Sequence, residues 1–254
     1  MIRRLGFSLV LVTALMIVAC GRQVTPNPPG LGAGGANPGF MVVKFDVSAP
    51  FDFSTYQYWV VFNTTANGLS PDTNPVRNNW AAFSDGIEVG TSGGGVYAQP
   101  FQFIKNPTNP AIPPHFQPLG TTASQLQFVA NSNGSGTEFT VSFQRSIFKN
   151  QATPTPGPTP TPTGSPAPYA KVWTFNAFVT QANANNQLIF VNSMGVGGPT
   201  DTTWVTQPPL LICTNFDQTY FALSSGDQIP EPAQIISVEI ANNATTAPPH
   251  TCPP

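Results

Sequence analysis

Between Glu138 and Gln144 the apolar side chains fall on alternate residues, with Phe139, Val141 and Phe143 set against Thr140, Ser142 and Gln144. The same two-residue period returns in Trp173, Phe175, Ala177 and Val179 against Thr174 and Asn176. Alternation of this kind places one set of side chains on each face of an extended strand. No segment sustains the 3.6-residue apolar period of a packed helix. Short β-rich runs, bounded by Gly, Pro, Asn and Asp, predict strands at Met41–Ser48, Tyr56–Thr64, Ala81–Val89, Ala98–Ile104, Gln125–Asn131 and Glu138–Phe148. Further runs follow at Lys171–Gln181, Gln187–Ser193, Leu210–Thr214, Thr219–Leu223 and Gln234–Ala241. The expected fold is all-β, an antiparallel β-sandwich in preference to a closed barrel.

The chain ahead of these strands has a different character. Arg3 and Arg4 precede an uncharged apolar run from Leu5 to Ala19, which is shorter than a membrane-spanning helix and has the layout of an export signal. Its last four residues, Ile17-Val18-Ala19-Cys20, resemble the lipobox of bacterial lipoproteins. That resemblance implies cleavage after residue 19, a diacylglyceryl group on the Cys20 sulfur and acylation of its new amino group. The membrane is then a partner through the lipid anchor, because several acyl chains, each buried methylene contributing about 0.8 kcal/mol, hold where one chain is marginal. The implied location is the extracytoplasmic face of a bacterial envelope. Gly21 in place of Asp after the cysteine resembles the pattern passed to the outer membrane in Gram-negative cells.

The residues therefore divide into a signal peptide (1–19), a lipidated cysteine with a Gly/Pro-rich tether (20–39) and a β domain (40–254). A Pro/Thr-rich segment at 153–168 interrupts the β pattern. It is read as an insertion within one sandwich, the alternative being a linker between two domains. An extended connection of that length adds little closure entropy.

Charge narrows the function classes. Loss of Arg3 and Arg4 with the signal leaves seven Lys and Arg against eleven Asp and Glu, a net charge of −4. Nucleic-acid binding needs clustered cations to release counterions from phosphates, so nucleic acid is excluded as a partner. Charged residues are only 8% of the chain, and neutral Asn, Gln, Thr and Ser must supply most of the polar surface. The segments GTEFTVSFQRSIF and KVWTFNAFVTQ resemble later strands of DOMON-like and related carbohydrate-binding sandwiches. The resemblance implies a ligand-binding sandwich and assigns no residue a role.

Motifs for catalysis are thin. Gly30 to Gly35 satisfies G-x-G-x-x-G, but no strand precedes it and a Pro-Gly break follows. Gly90-Thr91-Ser92-Gly93-Gly94 satisfies G-x-S-x-G, yet a Gly-rich strand connection follows the serine where a nucleophile elbow needs a helix. His115 and His250 lie in Pro-rich stretches and read as loop residues, not as bases or metal ligands. The acidic pairs Asp85/Glu88 and Asp46/Asp52 lack the ligand density of a calcium loop, so no cofactor is expected and calcium has no support. No catalytic residue is assigned.

Aromatic residues remain. On the strand from Tyr56, Tyr58, Val60 and Phe62 point one way and Trp59 and Val61 the other, so a sandwich core competes with a second covered face. Trp59 and Trp173 read as packing residues. Trp80 and Trp204 sit in turn-rich segments beside Asn, Thr and Asp, where an indole face would stack on a sugar while neighbours bond its hydroxyls. The expected function is a non-enzymatic envelope lipoprotein that binds a ligand or partner, a glycan being one reading. A structural lipoprotein assembling with another envelope protein is the other. With Cys20 assigned to lipid, Cys213 and Cys252 form an even pair in an oxidising compartment, and a disulfide between them is expected to fasten the Pro-rich tail.

Overall fold

The computed structural model describes residues 39–64, 85–104, 115–148, 172–184, 188–195, 205–212, 214–222 and 229–243. These hold twelve strands: β1 (Phe40–Val47), β2 (Tyr56–Asn63), β3 (Asp85–Ser92), β4 (Gly95–Ile104), β5 (His115–Pro118), β6 (Leu126–Val129), β7 (Glu138–Gln144), β8 (Val172–Ala182), β9 (Leu188–Ser193), β10 (Val205–Leu211), β11 (Phe216–Phe221) and β12 (Ile235–Asn242). Two antiparallel sheets pack as a sandwich, one ordered β11-β12-β1-β7-β6 and the other β10-β8-β2-β3-β4-β5, with β9 also on β8. β8 pairs with β2 and β12 pairs with β1, so strands from before and after residues 149–171 lie side by side in both sheets.

Period-two patterning accounts for what lies between the sheets. Phe139, Val141 and Phe143 of β7 enter the core with Met41, Val43 and Phe45 of β1, and face Tyr58, Val60 and Phe62 of β2 and Trp173, Phe175, Ala177 and Val179 of β8. Phe45 and Phe139 are cross-strand partners with ring centroids 5.0 Å apart, and Phe51 meets Tyr58 edge-on at 4.8 Å. Burying Tyr58 requires a partner for its phenol, which donates to the Pro232 carbonyl at 2.9 Å and accepts the Asp52 N–H at 3.3 Å. Burial raises its pKa well above the usual tyrosine value.

Several of the expected elements are corrected. The strand predicted over Glu138–Phe148 stops at Gln144, and Arg145–Phe148 form a 3-10 turn. A strand continued to Phe148 would place that ring with Thr140, Ser142 and Gln144, away from the core; the turn swings it inward against Phe62, Phe143 and Trp173. The turn also aims Arg145 at the strand ends, where Nη1 donates to the Ile212 carbonyl at 2.6 Å and to Asn242 Oδ1 at 2.5 Å. Strands β10 and β11 begin upstream of the predicted Leu210 and Thr219. Finally, the residues around His115 form β5, not a loop, with Phe116 opposite Phe103 and Pro118 opposite Phe101. Proline is tolerated there because β5 is an edge strand.

On the outer face of the five-stranded sheet Asp46 stands opposite Glu138 across β1 and β7. Burial first and the Glu138 charge second raise the Asp46 pKa, against smaller lowering effects of hydrogen bonds from Thr137 and Val47. A carboxyl that holds its proton more tightly folded than unfolded stabilises at low pH, and that contribution fades as pH rises through its folded pKa. Asp46→Asn is therefore expected to gain on the native protein as pH rises from about 4 to 7, by no more than the ~0.5 kcal/mol usual for partly exposed charges. Thermal melts at the two pH values check this; a variant that loses ground at pH 7 contradicts it.

Candidate functional site

The seven-stranded sheet carries a second apolar cluster on its outer face, formed by Trp59, Val61, Phe101, Phe103, Phe178 and Phe190 with Phe116 and Leu188 against it. β2 thus has no polar face in its middle: Tyr58, Val60 and Phe62 serve the core while Trp59 and Val61 serve this cluster. Both faces that competed in the sequence are occupied.

A groove of about 360 Å³ crosses this outer face, lined by Gln57, Trp59, Glu88, Gln99, Phe101, Phe116, Pro118, Ala182 and Leu188. Such a volume lies at the lower end of the ~300–1,000 Å³ of small-molecule sites. Strand register builds the groove. Trp59 of β2 pairs with Glu88 of β3, and Glu88 with Gln99 of β4, so three side chains on one face lie along a single rung. The next rung runs from Gly86 to Phe101 to Pro118. Gly86 is a steric requirement, since a Cβ there would lie 2.5 Å from Phe101 Cζ, and its absence lets the ring lie across β3. Phe116 meets Phe101 edge-on at 4.8 Å and Trp59 at 5.9 Å, giving a continuous aromatic floor.

Trp59 itself is only 3% exposed, and its indole N–H donates to Thr180 Oγ1 at 2.8 Å. It contributes floor, while the half-buried Phe116 and Leu188 and the exposed Pro118 and Ala182 form the rims. Trp173, by contrast, lies wholly in the core.

Three of the lining side chains, Gln57, Glu88 and Gln99, carry acceptor oxygens. Gln99 spends its amide N–H groups on the Pro100 carbonyl at 2.7 Å and the Leu119 carbonyl at 3.0 Å, which leaves Oε1 as its remaining polar atom. The Tyr97 phenol donates to Glu88 Oε1 at 3.0 Å and orients that carboxylate. Burial, then the Glu88 charge and this hydrogen bond, push the Tyr97 pKa up to about 12, so the phenol remains a donor at neutral pH. Gln57 Oε1 is buried with no hydrogen-bond partner. Among the described residues, no Lys, Arg or His lines the groove.

The residues singled out in the sequence fall mostly elsewhere. Cys20, Trp80, Trp204, Cys213, His250 and Cys252 lie outside the described residues, as does the 153–168 insertion. The G-x-S-x-G match ends in a β-hairpin: Ser92 pairs with Gly95, and Gly93 and Gly94 have φ of 61° and 87°, the two left-handed positions of a type I′ turn. Asp85 and Glu88 point to opposite faces of β3, the first buried toward the core and accepting from Thr64 Oγ1 at 2.6 Å. Asp46 faces Glu138, whereas Asp52 caps its own turn by accepting the N–H groups of Ser54 and Thr55 at 3.1 and 3.2 Å. Neither acidic pair converges, and no group of three or more His, Cys, Asp or Glu suited to a metal occurs among the described residues.

The chain matches no protein-family model, no curated protein and no solved structure. The sequence reading missed the groove because its residues come from six strands. Its one local signal was the doubly apolar Tyr56–Phe62 run.

Proposed function

We propose that this protein is a bacterial envelope lipoprotein, anchored through acylated Cys20, whose sandwich binds a glycan in the outer-face groove without turning it over. The observation that carries this reading is the set of acceptor side chains, Gln57, Glu88 and Gln99, beside the Trp59–Phe101–Phe116 floor. Sugars present apolar C–H faces to aromatic rings and hydroxyl donors to acceptors, and the groove offers both on one rigid sheet. Among the described residues the lining contains a single carboxylate, where glycoside hydrolysis ordinarily uses two. An extracytoplasmic location, at the outer membrane in a Gram-negative cell, gives the groove access to surface polysaccharide.

The assembly reading has an observation of its own. Phe221, at the end of edge strand β11, is 72% exposed, and the adjoining Ile236 of β12 is 39% exposed. An apolar end on an edge strand suits contact with another protein. Retention on insoluble polysaccharide separates the two readings. The full chain in detergent is expected to be retained by at least one neutral polysaccharide and released by Phe116→Ala. Retention by none, together with loss of a partner on Phe221→Lys, favours assembly.

A further inference from the structure

The groove is long for its volume. From Phe116 on β5 its lining passes through Gln99 on β4, Glu88 on β3 and Gln57 on β2 to Ala182 on β8 and Leu188 on β9. These strands are successive neighbours, and five gaps of ~4.8 Å give a span of about 24 Å along the sheet. Spread over that span, about 360 Å³ makes a narrow trough, not a round pocket. The trough also runs diagonally to the strands. At one end Ala182 pairs with Leu188, just beyond the rung on which Gln181 meets Tyr56 at the start of β2. At the other, Phe116 pairs with Phe103, just beyond the rung that joins Gln102, Asp85 and Phe62 near the end of β2.

Its chemistry changes along this line. Phe116 and Pro118 at one end and Ala182 and Leu188 at the other present carbon surfaces, while Gln57, Glu88 and Gln99 carry oxygens between them. Within that middle stretch Gln57 Oε1 is buried with no hydrogen-bond partner, and native proteins keep few such acceptors. The middle of the trough therefore calls for a donor.

We propose that the groove takes a linear glycan lengthwise, with a run of several sugars of one chain lying from Phe116 on β5 to Leu188 on β9. The inference rests on the glycan reading above and names the ligand class as a linear chain, in place of a free monosaccharide. A single pyranose ring is far shorter than the span and reaches one end or the other, not both. Successive rings of a chain set C–H faces against the carbon surfaces at both ends and bring a hydroxyl donor to Gln57 Oε1 between them. Once one ring is seated, the contacts of the next are intramolecular, so affinity rises with chain length until the trough is filled.

The test uses the full chain in detergent, titrated calorimetrically with glucose, mannose and galactose and with their linear dimers and tetramers. In at least one series the tetramer is expected to bind at least about tenfold more tightly than the dimer, and the monosaccharide more weakly still. The far end of the trough is read separately. Leu188→Ala and Ala182→Asp are each expected to weaken tetramer binding about fivefold, the second at an exposed position where a substitution burdens the fold least. Melting temperatures equal to that of the wild type show that the loss is one of contact and not of folding. Tetramer bound by both variants as tightly as by the wild type overturns the lengthwise seat and leaves the glycan reading standing. A monosaccharide or dimer bound as tightly as its tetramer does the same. Failure of every tetramer to bind overturns the glycan reading, and the lengthwise seat with it.

Discussion

Phe62→Ala is expected to cost about 3–5 kcal/mol, the range for deleting a buried aromatic ring. Against a total stability of roughly 5–15 kcal/mol, this brings the protein close to unfolding at ambient temperature. The reason is position. Phe62 contacts Phe143 at 5.8 Å, Phe148 at 5.9 Å and Trp173 at 5.8 Å, so the cavity would open where β2 of one sheet meets β7 of the other. Trp173 follows the 153–168 insertion while Phe62 and Phe143 precede it, so the loss is shared across both halves of the chain. Urea unfolding should retain one transition with a lower midpoint and an unchanged slope. Two transitions, with only the first displaced, would show that the pieces on either side of the insertion fold separately.

Cys20→Ser is expected to abolish lipid attachment outright. The serine has no thiol to receive the diacylglyceryl group, and without that modification the signal of residues 1–19 should stay attached. Labelled palmitate incorporated by the Cys20→Ser protein would contradict the anchor. Intact-mass analysis of the exported protein reads the other cysteines at the same time. A Cys213–Cys252 disulfide is expected, contributing about 3–4 kcal/mol by the chain-entropy estimate. Ile212 and Thr214 are each held to β12: Asn242 Nδ2 donates to the Ile212 carbonyl at 3.1 Å and the Thr214 carbonyl at 2.6 Å, and Arg145 adds its own bond to Ile212. Two alkylatable thiols in the native protein would contradict it.

What was legible in the sequence is what period two encodes. Phe139, Val141 and Phe143 lie in the core because alternation leaves them no other face, and the same holds for Trp173 through Val179. Phe148 escaped the pattern because a 3-10 turn, stabilised by Arg145 bonds to residues far along the chain, reversed the side on which it points. β5 escaped because Pro113, Pro114 and Pro118 read locally as loop; only pairing with β4, a tertiary fact, makes the segment a strand. The groove was hidden for a related reason. Glu88 read only as half of an acidic pair too sparse for calcium, and nothing local says that the register sets it between Trp59 and Gln99.

Hydrogen–deuterium exchange of the full chain in detergent, with and without the polysaccharide that retains it, tests the central claim most directly. Ligand seated in the groove should slow exchange in β3, β4 and β5, over residues 86–90, 97–102 and 116–118, and leave β11 and β12 unchanged. Protection confined to β11 and β12, or none with any polysaccharide, would contradict a glycan-binding groove.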